Sequence, residues 1–281
     1  MPGVRVVTDS SCDLPEALAA EAAIAVVPLT IRFGDEEFVD RRDLTPEAFW
    51  SRCAAAATLP QTAAPSPGAF EDAFRAQAAA GADAVACVVL STELSATGQA
   101  ATTAAAAVAG EVEVRVVDTR SVSLGVGLLA LEAARRGADG DALDDVVARV
   151  EDLAARTEIH AGLDTLDHLR KGGRVGGAQA LLGSLLSIKP VIEVRDGAVE
   201  PGPRVRTRAK VLDYLVAKVA GADVERLAVV HGAAADLDAF LDRVATHVPR
   251  SEVVVGDLGP VVGTHTGPGT IGVIYQRRAP A

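Results

Sequence analysis

The sequence contains few cysteines and few aromatic residues. Its three cysteines, Cys12, Cys53 and Cys87, are far apart in the 281 residues and form no CxxC pair. An odd, scattered set of this kind argues against a disulfide framework or a zinc site and favours a reducing compartment. The histidines show no HxH or HExxH spacing, so no metal centre is predicted. Phe, Trp and Tyr make up only 3% of the chain, which leaves Val, Leu and Ile to fill the interior.

Positive charge and long apolar runs are also scarce. Lys and Arg number 27 against 38 Asp and Glu, for a formal net charge of −11. A general nucleic-acid binder needs a cationic face that displaces counterions from phosphates, so nucleic acid is not expected as a partner. The longest uncharged stretches are rich in Gly, Ala, Ser, Thr and Gln, and the N-terminus lacks a signal-peptide pattern. We therefore expect no integral membrane segment and a cytoplasmic location.

What the sequence does contain is an alternation of apolar strands and helices. In the first half, buried-strand patterns occur at residues 4–7, 25–33, 84–90 and 112–117. Thr45-Pro46-Glu47 and Ser66-Pro67 each predict a helix start, with a hydroxyl N-cap followed by proline. Further helices are predicted at residues 14–23, 97–109, 125–136 and 143–156. Apolar strands separated by helices predict a mostly parallel sheet flanked by helices on both faces.

The pattern changes after residue 158. Asp196-Gly197 predicts a hairpin that begins with the strand at residues 191–194. Other strands are predicted at residues 159–163, 227–230, 253–255 and 272–275, with helices at 207–219 and 237–247. The sequence therefore predicts two α/β domains, an N-terminal one over residues 1–158 and a C-terminal one over residues 159–281.

Motifs for catalysis are incomplete. Gly125-Val-Gly127-Leu-Leu-Ala130 fits a dinucleotide fingerprint by letter, but residues 118–124 separate it from the preceding strand. A close-packed helix start is the alternative interpretation. Ser95 and His265 could serve a Ser/His hydrolase, yet no GxSxG elbow is present. A nucleotide-dependent oxidoreductase and a hydrolase stay as alternative functions, and no catalytic residue is assigned.

Hydroxyl groups cluster where strands give way to helices. Ser95 and Thr97 follow a buried strand, and Thr62 lies shortly before the Ser66-Pro67 helix start. Turns at the carboxyl ends of parallel strands form the favoured ligand crevice, and free N–H groups at a helix start suit an anion. Simple helix capping is the alternative interpretation. Asp9-Ser10-Ser11, at the end of the first strand, has the same two interpretations.

Eight blocks of the sequence, in order from end to end, resemble the DegV family. The first reads VVTDSSCDLP at residues 6–15. The others are residues 62–66, 90–97, 117–125, 166–174, 188–190, 206–207 and 265–267. The ordered set covers essentially the whole chain, so the sequence is identified as a member of that family.

The resemblance implies a two-domain α/β protein that buries a long-chain fatty acid between its domains and needs no cofactor. Thr62 and Ser95 would hold the carboxylate, with His265 close to that end. Arg174 and Arg206 match family arginines and would lie near the mouth or dock a partner. The family function implied is that of a carrier rather than an enzyme. A separate fatty-acid kinase, supplied in trans, would convert the bound acid to an acyl phosphate for phospholipid synthesis.

The sequence departs from the family pattern at two places. The family usually reads Thr-Ser-x-Pro where this chain has Ala63 and Ala64 after Thr62, and Leu-Ser-Gly-Thr where this chain has Ala96 after Ser95. The two hydroxyl residues themselves are kept, so carboxylate binding is still expected. A methyl group at residue 96 would narrow the approach of a ligand to the backbone and change the shape of the pocket.

Overall fold

The computed structural model describes residues 3–56, 58–181 and 188–279. Its strands are β1 (Gly3–Asp9), β2 (Ala25–Val27), β3 (Thr30–Phe33), β4 (Glu36–Val39), β5 (Gln61–Ala63), β6 (Ala82–Val89), β7 (Glu113–Asp118), β8 (Thr157–Gly162), β9 (Val191–Arg195), β10 (Ala198–Pro201), β11 (Val224–His231), β12 (Val253–Asp257) and β13 (Ile271–Arg277). Its α-helices are α1 (Glu16–Glu21), α2 (Pro46–Ala55), α3 (Pro67–Ala79), α4 (Thr97–Ala107), α5 (Leu124–Ala138), α6 (Leu143–Ala155), α7 (Asp167–Lys171), α8 (Arg208–Ala220), α9 (Leu237–Val244) and α10 (Pro260–Thr266). Within the described ranges, every helix is too short or too polar to cross a membrane.

The first sheet is parallel and has the order β2-β1-β6-β7, as the sequence predicts. Its central strands are apolar on both faces because helices cover both. Val6 and Val88 pack with α5 and α6, whereas Val7 and Cys87 pack with α3 and α4. The mixed α/β class and the flanked parallel sheet are therefore confirmed.

Local capping signals define several of the helix starts. Thr45, Ser66 and Thr207 each accept a hydrogen bond from the backbone N–H three residues later, which fixes the starts of α2, α3 and α8. Proline follows the cap in α2 and α3, where its missing N–H costs nothing. These helix starts agree with the sequence prediction because the interactions involved are local.

The second sheet has the order β10-β9-β8-β13-β11-β12. Among the described strands of this sheet, only β11 and β12 are parallel neighbours, and the other neighbouring pairs are antiparallel. The predicted hairpin joins β9 to β10. Asp196 and Gly197 have φ of 51° and 83°, the left-handed region that a two-residue hairpin turn requires. One face of this sheet packs against α8 and α9 around Leu215, Phe240 and Tyr275.

The single strand predicted at residues 25–33 is wrong. β2 ends at Val27 and joins the parallel sheet, whereas β3 begins at Thr30 and pairs with β4 and β5 in a small antiparallel sheet. Pro28 separates them because it has no N–H to donate to a ladder. The N–H of Leu29 instead donates to the hydroxyl of Ser10 at 3.0 Å.

Helix α5 lies between the two large sheets. Its Leu129 belongs to one hydrophobic core that also contains Val6 of the first sheet and Val230 and Ile274 of the second. The glycine at position 137 lets the helix rest directly on β1, because a Cβ there would overlap the Val4 carbonyl oxygen. This core contains residues from both sides of the predicted domain boundary between residues 158 and 159. The boundary itself stays a prediction.

A buried carboxylate also joins the elements around α5. Glu132 has a side chain of 0% exposure and is paired with Arg135 of α5, Arg149 of α6 and Arg226 of β11. Burial disfavours its charged form, but the hydrogen bonds from the three guanidinium groups outweigh that cost and hold its pKa at about 2. The cluster ties β11 of the second sheet to two helices that pack on the first.

Candidate ligand-binding site

A cavity lies between the carboxyl edge of the first sheet and one face of the second. It encloses about 820 Å³ of space free of atoms, part of it open to solvent. Side chains from both sheets form its apolar wall: Leu90, Ile159, Ile192, Val194, Val230 and Ile274. Such a wall offers contact to an apolar chain and no hydrogen-bond partner, so any polar group of a ligand must lie elsewhere.

Thr62 and His265 form a polar pair in the wall of this cavity. Thr62 lies on β5, which pairs with β3, and His265 lies in the last turn of α10. The fold brings these residues together across 203 positions, with Thr62 Oγ1 3.0 Å from His265 Nε2. A hydroxyl beside an imidazole gives the cavity hydrogen-bonding groups suited to an acid head group.

The imidazole of His265 is held in its neutral form. Its pKa is lowered from 6.5 to about 4, mainly by burial, and repulsion from the nearby Arg174 and His168 side chains acts in the same direction. Its Nδ1 is buried without a hydrogen-bond partner among the described residues and lies against the backbone at Gly172. The neutral ring can donate or accept one hydrogen bond at Nε2, according to its tautomer.

Ser95 lies in the turn between β6 and α4. Its hydroxyl is 2.9 Å from the hydroxyl of Thr97 and accepts a hydrogen bond from the Thr97 N–H at 3.3 Å. Both interpretations of this hydroxyl pair thus have support, because Ser95 contacts the helix start and also lines the cavity. The intervening Ala96 has φ of −75°, which any residue adopts, so its methyl group introduces no backbone strain.

Arg174 supplies a positive charge to the cavity wall. Its Nε donates to the carbonyl of Leu94 at 3.1 Å and its Nη1 to the carbonyl of Gly172 at 2.7 Å. Carbonyl groups orient the guanidinium without neutralising it, and in the described part of the chain it is in no ion pair with Asp or Glu. A cation held beside Thr62 and His265 favours an anionic ligand.

Arg206 lies apart from this group. It is exposed in the segment between β10 and α8 and is not among the described residues that line the cavity. The structure therefore brings together Thr62, Ser95, His265 and Arg174 and leaves Arg206 on the surface.

The cavity contains further hydroxyl groups that the sequence prediction did not assign to the carboxylate. Ser11, Ser123, Thr266 and Thr270 also line it. The signal for Ser11 was present in the Asp9-Ser10-Ser11 turn. Both interpretations of that turn apply, since Asp9 accepts hydrogen bonds from the Ser11 N–H at 3.0 Å and hydroxyl at 2.5 Å while Ser11 faces the cavity. Ser123 and the two threonines carry no comparable local signal.

The geometry gives little support to the two enzyme alternatives. Gly125 and Gly127 lie inside α5, where a Cβ would overlap the hydroxyl of Ser121 or crowd the carbonyl oxygen of Cys12, so both glycines serve close packing. Within the described ranges, Ser95 donates no hydrogen bond to His265 and His265 has no carboxylate partner, so no nucleophile and base are paired. The same ranges contain no group of three or more His, Cys, Asp or Glu arranged to hold a metal ion.

An α/β fold that encloses a largely apolar cavity, with hydroxyls, a neutral imidazole and a guanidinium in its wall, has the chemistry to accommodate an amphiphilic anion. A sequence model described as "Uncharacterised protein, DegV family" matches residues 3–278. The chain belongs to the DegV family.

Relatives agree with this assignment over their full lengths. A DegV domain-containing protein of Streptomyces coelicolor is 38% identical over 280 residues, which cover 98% of this chain and 99% of the relative. A DegV family protein of Thermus thermophilus, whose structure is described as showing fatty acid binding, superposes with a TM-score of 0.90 at 35% identity, covering 98% of this chain and all of that one. DegV of Bacillus subtilis, described as a fatty acid binding protein, gives a TM-score of 0.87 at 26% identity, covering 99% of this chain and all of that one.

Proposed function

We propose that this protein binds a long-chain fatty acid in the cavity, with the carboxylate at Thr62, Ser95 and His265 and the acyl chain along the aliphatic wall. The observation that carries the proposal is that Thr62, Ser95 and His265 share the wall of a largely apolar cavity with the guanidinium of Arg174, which forms no ion pair with Asp or Glu among the described residues. The bound acid is the only ligand the proposal requires, without a further cofactor.

The energetics of such a ligand fit this arrangement. Burying an acyl chain gains about 0.8 kcal/mol per methylene, so roughly 14 methylenes give about 11 kcal/mol before ordering costs. A carboxylate left bare in an apolar interior would cancel much of that gain, and hydrogen bonds to hydroxyls and a nearby cation prevent the loss. A carrier of this kind needs no nucleophile.

Native mass spectrometry of the purified full chain, followed by lipid extraction, tests the proposal. We expect the protein to carry one fatty acid or to take up added oleate at one site. A protein that takes up no acyl chain and instead retains NAD or FAD would favour the oxidoreductase alternative.

Two variants test the assigned residues. Thr62→Val and Ser95→Ala should each weaken oleate retention by about tenfold or more, because a hydrogen bond to a charged acceptor contributes about 1.5–3 kcal/mol. Thr103→Val is the matched control, since Thr103 is exposed on α4 and, in the described part of the chain, its hydroxyl bonds only to the Gln99 carbonyl within its own helix. Displacement of a labelled acid measures all three, and unchanged affinity for both cavity variants would contradict the assignment.

We propose further that the protein is a cytoplasmic carrier that presents the carboxylate to a fatty-acid kinase supplied in trans, and is not itself an enzyme. Arg206 is exposed, so it is free to contact an acidic face of such a kinase. Arg206→Glu should then slow acyl phosphate formation without releasing the acid when kinase is absent. Arg115→Glu, at an exposed arginine on β7, is the matched control. Equal turnover of both variants would remove Arg206 from the docking surface.

A further inference from the structure

Asp13 connects three segments of the cavity wall. It follows the short 3-10 helix Ser10–Cys12, and the residue is only 5% exposed. Its Oδ2 accepts a hydrogen bond from the Ser123 hydroxyl at 2.6 Å, and its Oδ1 accepts one from the Gly259 N–H at 3.0 Å. Ser123 immediately precedes α5 and Gly259 immediately precedes α10, so one carboxylate holds the starts of two helices.

Each of the three joined segments contributes to the cavity. Ser11 precedes Asp13 by two residues, Ser123 is itself in the wall, and α10 carries Val261, Val262 and His265. Asp13 is not among the residues that line the cavity, so any effect it has on a ligand must act through these segments.

The backbone around Asp13 shows that this arrangement is held in place at a cost. Asp13 and Ser123 have φ of 48° and 57°, the left-handed region that side chains other than glycine rarely adopt. A Cβ at Gly259 would lie 2.9 Å from Asp13 Oδ1, so the close approach of α10 needs glycine there. Strained residues persist when surrounding interactions over-determine them, and the two Asp13 hydrogen bonds are such interactions.

We infer that Asp13 is a positioning residue that joins the starts of α5 and α10 and thereby sets the place of His265 at the polar end of the cavity. The inference rests on the proposed function, because it assigns Asp13 a part in retaining the same ligand. Without the carboxylate, the Gly259 N–H and the Ser123 hydroxyl would each lose a buried partner, and α10 would be free to move away from the cavity.

Variants at Asp13 test this role in the full-length protein. Asp13→Ala should release bound oleate to phosphatidylcholine vesicles at least about tenfold faster than wild type, because two buried hydrogen bonds that hold the starts of α5 and α10 are lost. Asp13→Asn should release oleate within about threefold of the wild-type rate, since the amide oxygen of asparagine can accept from the Gly259 N–H and its amide N–H can donate to the Ser123 oxygen. Asp40→Ala is the control, because Asp40 is a neighbouring buried carboxylate with no hydrogen bond to Ser123 or Gly259.

A second readout separates positioning from a general loss of stability. In oleate-free protein, the pKa of His265 is measured by NMR titration. It should rise from about 4 in wild type toward 6.5 in Asp13→Ala, because the ring leaves its buried place, and should stay unchanged in Asp40→Ala. If Asp13→Ala does not fold, Asp13→Ser, which offers one oxygen in place of two, is expected to show the same changes.

Wild-type oleate release together with an unmoved His265 titration in the folded Asp13 variant would overturn the inference. If wild-type protein binds no oleate, the proposed function fails, and the His265 titration alone decides whether Asp13 positions α10.

Discussion

At the scale of single residues, the buried histidine has a direct consequence for stability. The pKa of His265 is about 4 in the folded protein and 6.5 when unperturbed, so the unfolded chain binds more protons between these values. Stability should therefore fall as the pH drops from 6.5 to 4, by up to about 1.4 kcal/mol per pH unit for one group. His265→Gln should flatten this fall in urea denaturation. The exposed His247 offers the control, and an equal effect of His247→Gln would contradict the explanation.

Asp40 acts in the opposite direction. The pKa of its carboxyl is raised from 3.8 to about 6, because the effect of burial outweighs the opposing effect of the positive charge of Arg41. The folded state then binds more protons than the unfolded state between these values, so the charged form costs stability as the pH rises through 6. Asp40→Asn should raise the free energy of unfolding at pH 8 by about 3 kcal/mol and leave it nearly unchanged at pH 4. Equal effects at the two pH values would show that charge is not the cause.

The polar residues of the cavity illustrate what a single sequence can and cannot reveal. Thr62 and Ser95 were candidates from their places at helix starts, whereas His265 was expected beside them only from the family resemblance. No local pattern relates positions as far apart as Thr62 and His265. Asp13 was not expected at all, since its bond to Gly259 spans 246 residues. Contacts of this kind depend on the completed fold, whereas the Ser11 turn could be recognised because its interactions are local.

At the scale of elements, the sequence predicted well wherever a helix or strand is specified by its own residues. The caps of α2 and α3, the start of α8 and the Asp196-Gly197 turn depend on short-range interactions and were predicted correctly. The small sheet of β3, β4 and β5 was missed, because its strands are short and only pairing with one another stabilises them. Helix α10, which has no side-chain cap, was missed for a similar reason.

The contact between α5 and β1 provides a test at this scale. Gly137→Ala should lower stability by about 1–3 kcal/mol, because the new Cβ would overlap the Val4 carbonyl oxygen and force the helix away from the strand. Gly68→Ala in the first turn of α3 is the control. A Cβ there meets only the Ser66 hydroxyl at 3.8 Å, so this change should be neutral or stabilising by up to about 1 kcal/mol. Thermal denaturation measures the stability of both variants. Equal changes in stability would contradict the packing argument.

At the scale of the whole molecule, the two large sheets share helices, a hydrophobic core and the Glu132 cluster. Glu132→Gln should destabilise the protein by about 3–5 kcal/mol, because it leaves three guanidinium groups around a neutral, buried side chain. Asp144→Asn breaks an exposed pair with Arg115 and should change stability by less than about 1 kcal/mol. Chemical denaturation measures both, and a small effect at Glu132 would mean that the core alone holds the sheets together.

The position of β13 has a consequence for the order in which the molecule is made. It is the last strand in chain order, yet it lies between β8 and β11 near the centre of the second sheet. Chains emerge from the ribosome at about 5–20 residues per second, and the first sheet, complete at Asp118, can pair its strands early. The strands β8 to β10 and the pair β11–β12 must wait apart until β13 emerges and joins them. During that interval the cavity has only part of its wall, because Ile274 of β13 is still missing. The wall is therefore completed only after the other strands of both large sheets have been made.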